Sequence, residues 1–76
     1  MKIYIEFYRK NKSSYSEVVG DRGIILIDGR LSLFNQQSVA FDECLKRGFD
    51  GYQVLQGDNL LSARPIGNFV KIGEKQ

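Results

Sequence analysis

The chain contains no histidine and only one cysteine. Without histidine it lacks the most frequent general base and metal ligand, and it cannot form a Ser–His or Cys–His pair. The single cysteine, Cys44, has no second cysteine for an internal disulfide, whereas small secreted domains commonly depend on several. These absences argue against catalysis and metal binding and favour a reducing cytoplasm. We expect no cofactor.

Long apolar runs and a strong charge excess are also missing. No segment approaches the roughly 18 consecutive apolar residues that a membrane-spanning helix requires. The N-terminus alternates instead of forming the apolar core of a signal peptide, so we expect no membrane association. A net charge of +2 permits nucleic-acid binding but does not demand it, because dedicated nucleic-acid domains cluster a larger basic excess on one face.

The length and the apolar content of the chain predict one small folded domain. The chain has 76 residues, of which 42% are apolar, which is enough for a single core. We expect residues 1–76 to form one compact domain, with residues 73–76 as a frayed tail.

Three strands are predicted in the first half of the chain, at residues 2–10, 15–19 and 24–27. The first alternates apolar and polar residues, which is typical of a half-buried strand. The third is the most apolar run and reads as a central strand. Asp28-Gly29 follows it and predicts a tight hairpin into residues 30–34, because a type I′ turn needs positive φ at both central residues.

The only helical pattern covers residues 35–47. Its apolar stripe has three- and four-residue spacings and consists of Ala40, Phe41, Cys44, Leu45 and Gly48. Asn35 or Ser38 is expected to cap the first turn and Gly48 to end the last. Cys44 is read as a small buried hydrophobe in preference to a nucleophile.

The remaining residues predict further strands at 51–56 and 60–64 and a short closing strand at 69–72. Pro65 cannot donate to a strand ladder, so the strand before it either ends there or lies at an edge. The coarse order is β-β-β-α-β-β. We therefore expect an α+β fold in which one antiparallel sheet carries a single helix on one face. Such a domain offers little depth for a pocket of the usual ~300 Å³, which also speaks against catalysis.

The polar face of the first strand is the leading candidate for binding, because tyrosine and arginine are frequent in interface hot spots. The candidate binding residues are Tyr4, Tyr8, Arg9, Lys12, Tyr15 and Arg64. Three interpretations stay open at this point. The tyrosines cover a solvent-facing sheet, they contact a protein partner, or they stack single-stranded nucleic acid.

The C-terminal half carries one resemblance. A helix ending at Gly48 is followed by Gly51-Tyr52-Gln53-Val54-Leu55-Gln56-Gly57-Asp58-Asn59-Leu60-Leu61. This is similar to the helix–Gly–x–Tyr–x–apolar–Leu–x–Gly–x–Asn pattern of small phage and mobile-element proteins such as the type I-F anti-CRISPR family five.

The resemblance implies a phage-encoded inhibitor that occupies a surface of a CRISPR effector complex in the bacterial host cell, without catalysis. It assigns no functional residues. The alternatives are a small antitoxin or adaptor protein, and a single-stranded nucleic-acid binder. We expect a monomer or a homodimer, since an unpaired sheet edge can join two copies.

Overall fold

A computed structural model describes residues 2–20 and 23–72; the predicted tail at 73–76 lies outside them. In these residues three strands precede a helix and three follow it. The elements are β1 Lys2–Asn11, β2 Ser14–Glu17, β3 Ile24–Ile27, α1 Leu33–Arg47, β4 Gly51–Gly57, β5 Arg64–Pro65 and β6 Val70–Lys71. The predicted α+β fold is confirmed, with one antiparallel sheet and one helix in the described part of the chain.

The sheet is built on two long strands, β1 and β4, and each of them pairs on its outer side with two short antiparallel strands. β2 pairs with residues 8–11 of β1, and β3 pairs with residues 3–6 of the same strand. In the same way, β5 pairs with residues 55–56 of β4, and β6 pairs with residues 51–52 of that strand. β1 and β4 pair with each other along the middle of the sheet.

The interruption between β2 and β3 depends on a glycine. A Cβ atom on Gly23 would lie 2.0 Å from the carbonyl oxygen of Val18, so no side chain fits there without moving the backbone. The close approach accompanies the departure of the chain from β1 after Val18, whose amide still donates to the Phe7 carbonyl oxygen at 3.1 Å. The chain pairs with β1 again from Ile24. The prediction that 24–27 is a central strand is wrong, because among the described strands β3 pairs with β1 alone.

The core lies between one face of the sheet and α1. Ile3, Ile5 and Phe7 point toward the helix and are at most 2% exposed, as the alternation of β1 predicted. Phe7 stacks on Phe49 with 5.2 Å between ring centroids. Full burial of side chains of this size contributes about 1.5–3 kcal/mol each, so β1 contributes substantially to core stability.

The helix begins earlier than the sequence predicted. The Ser32 hydroxyl accepts a hydrogen bond from the Asn35 amide at 3.2 Å, which makes Ser32 the N-cap. The predicted caps, Asn35 and Ser38, are wrong because both already lie within α1. The predicted end is confirmed: Gly48 adopts a left-handed conformation with φ of 75°, which favours glycine.

The predicted apolar stripe of α1 is partly wrong. Ala40 and Cys44 are fully buried, but Phe41 is 43% exposed and Leu45 is 51% exposed. The buried row of α1 residues includes Gln36 in their place. The side-chain amide of Gln36 donates to the Leu31 carbonyl oxygen at 2.7 Å. The contact is thus a narrow i, i+4, i+8 row of mostly small side chains.

The predicted hairpin after β3 is also wrong beyond its turn. The Asp28 carboxylate accepts from the amide and the guanidinium of Arg30, which stabilises a turn at Asp28-Gly29. The chain then enters the Ser32 cap and the helix instead of a strand at 30–34. The Asp-Gly pair correctly predicted a turn, but the N-cap at Ser32 starts a helix after this turn instead of a strand.

The predicted strand at 60–64 is mostly a turn. The Asn59 side chain accepts from the Ser62 amide at 3.0 Å, and the Ser62 hydroxyl donates to the Asn59 carbonyl oxygen at 3.2 Å. This local hydrogen bonding competes with a strand ladder. Pairing resumes at Arg64 and Pro65 on the outer side of β4, so the prediction that a strand ends at Pro65 or lies at an edge there is confirmed. The predicted closing strand is β6.

Candidate binding site on the open sheet face

The open face is the side of the sheet opposite α1. Tyr4, Glu6 and Tyr8 alternate with the core residues of β1 and therefore point to this side. The strand register places Leu26 of β3 and Leu55 of β4 on either side of Tyr4. In the described residues no helix covers this face.

The open face contains a depression of about 590 Å³, which we call the cup. Glu6, Tyr8, Glu17 and Gln53 supply polar groups to it. Its apolar walls include Ile24, Leu55, Leu60 and Pro65. The expectation that this domain would lack the depth for such a volume is wrong. The loop after Glu17 and the turn before Arg64 raise walls around an otherwise shallow sheet.

Tyr8 and Glu6 form a hydrogen-bonded pair within the cup. The Tyr8 hydroxyl donates to Oε1 of Glu6 at 2.6 Å, a short distance that indicates a charge-assisted bond. Partial burial raises the pKa of Tyr8 well above its usual range, and the nearby carboxylates of Glu6 and Glu17 raise it further. Tyr8 is therefore a neutral donor at physiological pH, and it holds the Glu6 carboxylate in one orientation.

The cup is acidic. Glu6 and Glu17 both line it, and among residues 2–20 and 23–72 no Lys or Arg forms an ion pair with either. The ion pairs in that part of the chain join Asp28 to Arg30 and Glu43 to Arg47. An acidic group with apolar walls suits a side chain that carries a positive charge on an aliphatic stem.

An aromatic cluster adjoins the cup at the end of the β1–β2 hairpin. Phe69 contacts Tyr8 and Tyr15 edge to face, with centroid distances of 4.7 and 5.3 Å. Phe69 reaches this position because Gly51 has no side chain: a Cβ there would lie 2.8 Å from the Phe69 ring. The ammonium groups of Lys10 and Lys71 lie within 5.8 and 5.5 Å of the Tyr15 ring centroid. This ring is already engaged by protein groups.

The structure brings together only part of the predicted site. Tyr4, Tyr8 and Tyr15 belong to the open face. Arg9 belongs to the opposite side, where its guanidinium lies 5.0 Å from the centroid of Phe49. The reason is the two-residue period of β1, which turns each neighbour of Tyr8 away from it.

The other two predicted residues lie apart from the cup. Lys12 occupies the turn between β1 and β2 with a φ of 60°. Arg64 lies in β5 opposite Gln56, whereas the cup-lining Pro65 lies opposite Leu55.

Several residues of the open face were not predicted as binding residues, and among them are Glu17, Leu55 and Phe69. Glu17 could have been found by carrying the alternation of β1 across the first hairpin, because it pairs with Tyr8. Leu55 and Phe69 depend on the pairing of β1 with β4 and on the approach of Phe69 to Gly51. No local pattern in the sequence encodes either contact.

Cys44 lies on the covered side and is fully buried, as expected. Its Sγ lies 3.5 Å from the carbonyl oxygens of both Phe49 and Gly51, which share the single S–H donor. Burial raises the pKa of the thiol from 9.0 to about 11, and Asp50 adds to this shift. The group is therefore protonated at neutral pH.

Two further observations concern the described part of the chain. No group of three His, Cys, Asp or Glu side chains there is close enough to hold a metal ion. No helix there has the length and apolar character needed to span a bilayer.

A second apolar surface lies on the outer side of α1. Phe34, Phe41 and Leu45 recur at helical spacing, and Phe34 is 78% exposed. This helix surface is the natural comparison for any experiment on the cup.

Comparisons with protein-family models, with curated proteins and with solved structures give no significant match to this chain.

Proposed function

We propose that this protein is a non-catalytic protein-binding module whose open face receives a partner. The observation that carries the proposal is the cup, a depression with two carboxylates and an apolar wall on an uncovered sheet face. The partner supplies a lysine or arginine side chain whose aliphatic stem contacts Leu55 and Pro65. Its charge meets Glu6 and Glu17.

A protein partner fits this face better than nucleic acid. Phosphate groups would meet Glu6 and Glu17 at the cup, and like charges at an interface cost several kcal/mol. Tyr15 on the open face has lysine ammonium groups near its ring, which compete with a stacking base. Single-stranded nucleic-acid binding is therefore the less favoured alternative.

The size of the molecule is compatible with one such interface. Its principal dimensions are 35 × 24 × 19 Å, and a specific interface buries about 800 Å² per partner. One broad face is enough for this area. The protein can therefore act by occupying a surface, as a monomer or as a homodimer.

The resemblance of the C-terminal half gives this binding module a more specific role. We propose that it inhibits a type I-F CRISPR effector complex in the bacterial cytoplasm by covering one of its surfaces. The lone, buried cysteine suits that reducing compartment. An antitoxin or adaptor would use the same open face on a different partner.

A binding assay with purified type I-F effector complex tests the proposal. Glu17→Lys places a positive charge in the cup, and Asp42→Lys makes the same change on the exposed side of α1. We expect the wild-type protein and Asp42→Lys to bind equally and Glu17→Lys to bind at least tenfold more weakly. Equal affinities for the two variants would overturn the role of the cup, and no binding of the wild type would overturn the CRISPR target.

Mobility-shift assays with single- and double-stranded DNA and RNA at two salt concentrations test the less favoured alternative. We expect no tight complex with any of them. Tight binding that weakens steeply with salt would contradict a protein partner, because such dependence reports released counterions.

A further inference from the structure

On the side of the sheet that carries α1, a pocket of about 200 Å³ is lined by Arg9, Val18, Val19, Arg47 and Phe49. We propose that this pocket binds a carboxylate from an acidic side chain of a protein partner. It shares Val18 and Val19 with the cup, and its two arginines distinguish it from the cup. The inference goes beyond the proposed function of the cup.

The core holds both guanidinium groups in place. Arg9 lies 5.0 Å from the ring centroid of Phe49, and Arg47 lies 5.5 Å from that of Phe7. The two rings stack on each other and are 7% and 0% exposed. Cation–π contacts with a buried aromatic pair restrict two otherwise flexible side chains. Ligand binding therefore costs less ordering entropy than it would at free arginines.

Most hydrogen-bond donors of this pair are unused within the described chain. Nε of Arg47 donates to the Glu43 carboxylate at 3.1 Å. Among residues 2–20 and 23–72, the terminal nitrogens of Arg47 have no hydrogen-bond acceptor, and the Arg9 guanidinium has none at all. A guanidinium fork matches a planar carboxylate in shape and donor spacing.

The local charge favours a monoanion. Arg9 and Arg47 carry two positive charges, and Glu43 compensates one of them. The C-terminal end of α1 adds partial negative charge beside Arg47. Counting the described residues, one carboxylate balances the two arginines and Glu43, whereas a phosphate dianion would leave them with a net negative charge. The apolar contacts of Val18 and Val19 suit the methylene groups of an acidic side chain.

Titration of the ¹⁵N-labelled protein with N-acetyl-glutamate N-methylamide tests this site. We expect saturable shifts of the Nε–Hε signals of Arg9 and Arg47 and of the Val18 and Val19 amides. The glutamine analogue of the probe should produce no saturable shift, because it lacks the charge. Inorganic phosphate should bind more weakly than the carboxylate probe.

Matched variants separate binding from a merely structural role. Arg9→Gln should weaken binding about tenfold, the effect expected for a lost charge-assisted hydrogen bond, while Arg64→Gln on β5 should leave it unchanged. Arg47→Gln is a second variant if Arg9→Gln unfolds. Equal binding by Arg9→Gln and Arg64→Gln, equal shifts with the neutral probe, or tighter binding of phosphate would each overturn the proposal.

Discussion

The two sides of β1 use the same backbone for different purposes. Ile3, Ile5 and Phe7 face the helix and are almost completely buried. Tyr4, Glu6 and Tyr8 alternate with them on the open face and stay half-buried. The covered side is shaped by packing against small residues of α1, and the open side by charge and by the walls of the cup.

This difference separates the residues that stabilise the fold from those of the proposed binding face. Removing apolar volume from the covered side leaves a cavity that a close-packed interior fills poorly. Changing the open side alters the surface on which we propose that a partner binds. The two sides should therefore respond in opposite ways to mutation, with stability lost on one and affinity lost on the other.

The largest expected effect on stability is that of Phe7→Ala. The change removes a fully buried ring and its stacking on Phe49, and it should lower the free energy of unfolding by about 3–5 kcal/mol. Tyr4→Ala, three residues away on the open face, should cost less than about 1 kcal/mol. Urea unfolding of both variants measures the contrast, and equal losses would contradict the division between the two sides.

Gly48→Ala should have the next largest effect. Gly48 has a φ of 75°, and an alanine in the left-handed region costs about 1–2 kcal/mol. Gly48→Asn is the control, because asparagine tolerates this conformation better and should lose less stability. Thermal unfolding compares the two variants. An alanine variant as stable as the asparagine variant would show that the left-handed end of α1 is unimportant.

Ser32→Ala should lower stability by about 1 kcal/mol, because it removes the acceptor for the Asn35 amide. Ser38→Ala is a matched control inside the same helix and should be neutral or slightly stabilising, since alanine favours helices. Urea unfolding distinguishes the cap found in the structure from the cap predicted by the sequence. The reverse order of the two effects would place the cap at Ser38.

The covered side should also show a small alkaline sensitivity through Cys44. The pKa of its thiol is raised from 9.0 to about 11, so the folded state favours the protonated form. The resulting stabilisation is fully present below pH 9 and is lost as pH rises through 11. Unfolding free energies from pH 8 to 11 should fall more steeply for the wild type than for Cys44→Ala. Parallel pH profiles would contradict this linkage.

The sequence predicted those parts of the fold that are encoded locally. The alternation of β1 identified its buried residues, and Gly48 marked the end of α1. Ser32 was missed because the apolar residues around it favoured a hairpin arm, although its side chain caps the helix. The strand at 60–64 was wrong for a similar reason, since hydrogen bonds between Asn59 and Ser62 form a turn.

The candidate site was less predictable because it depends on contacts between distant residues. Glu17 reaches the cup through its pairing with Tyr8, and Phe69 reaches Tyr8 through the space beside Gly51. The period of β1 alone excludes Arg9 from the open face. Arg9 was predicted as a binding residue from its residue type. The alternation of side chains along β1 places it on the side that carries α1.

Hydroxyl-radical footprinting of the complex with the type I-F effector most directly tests whether the open face is the binding surface. Tyr4 reports on the open face, and Phe34 reports on the outer side of α1, where it is 78% exposed. We predict that complex formation strongly reduces oxidation of Tyr4 and leaves that of Phe34 unchanged. Protection of Phe34 with unchanged oxidation of Tyr4 would contradict the account and assign the interface to the helix.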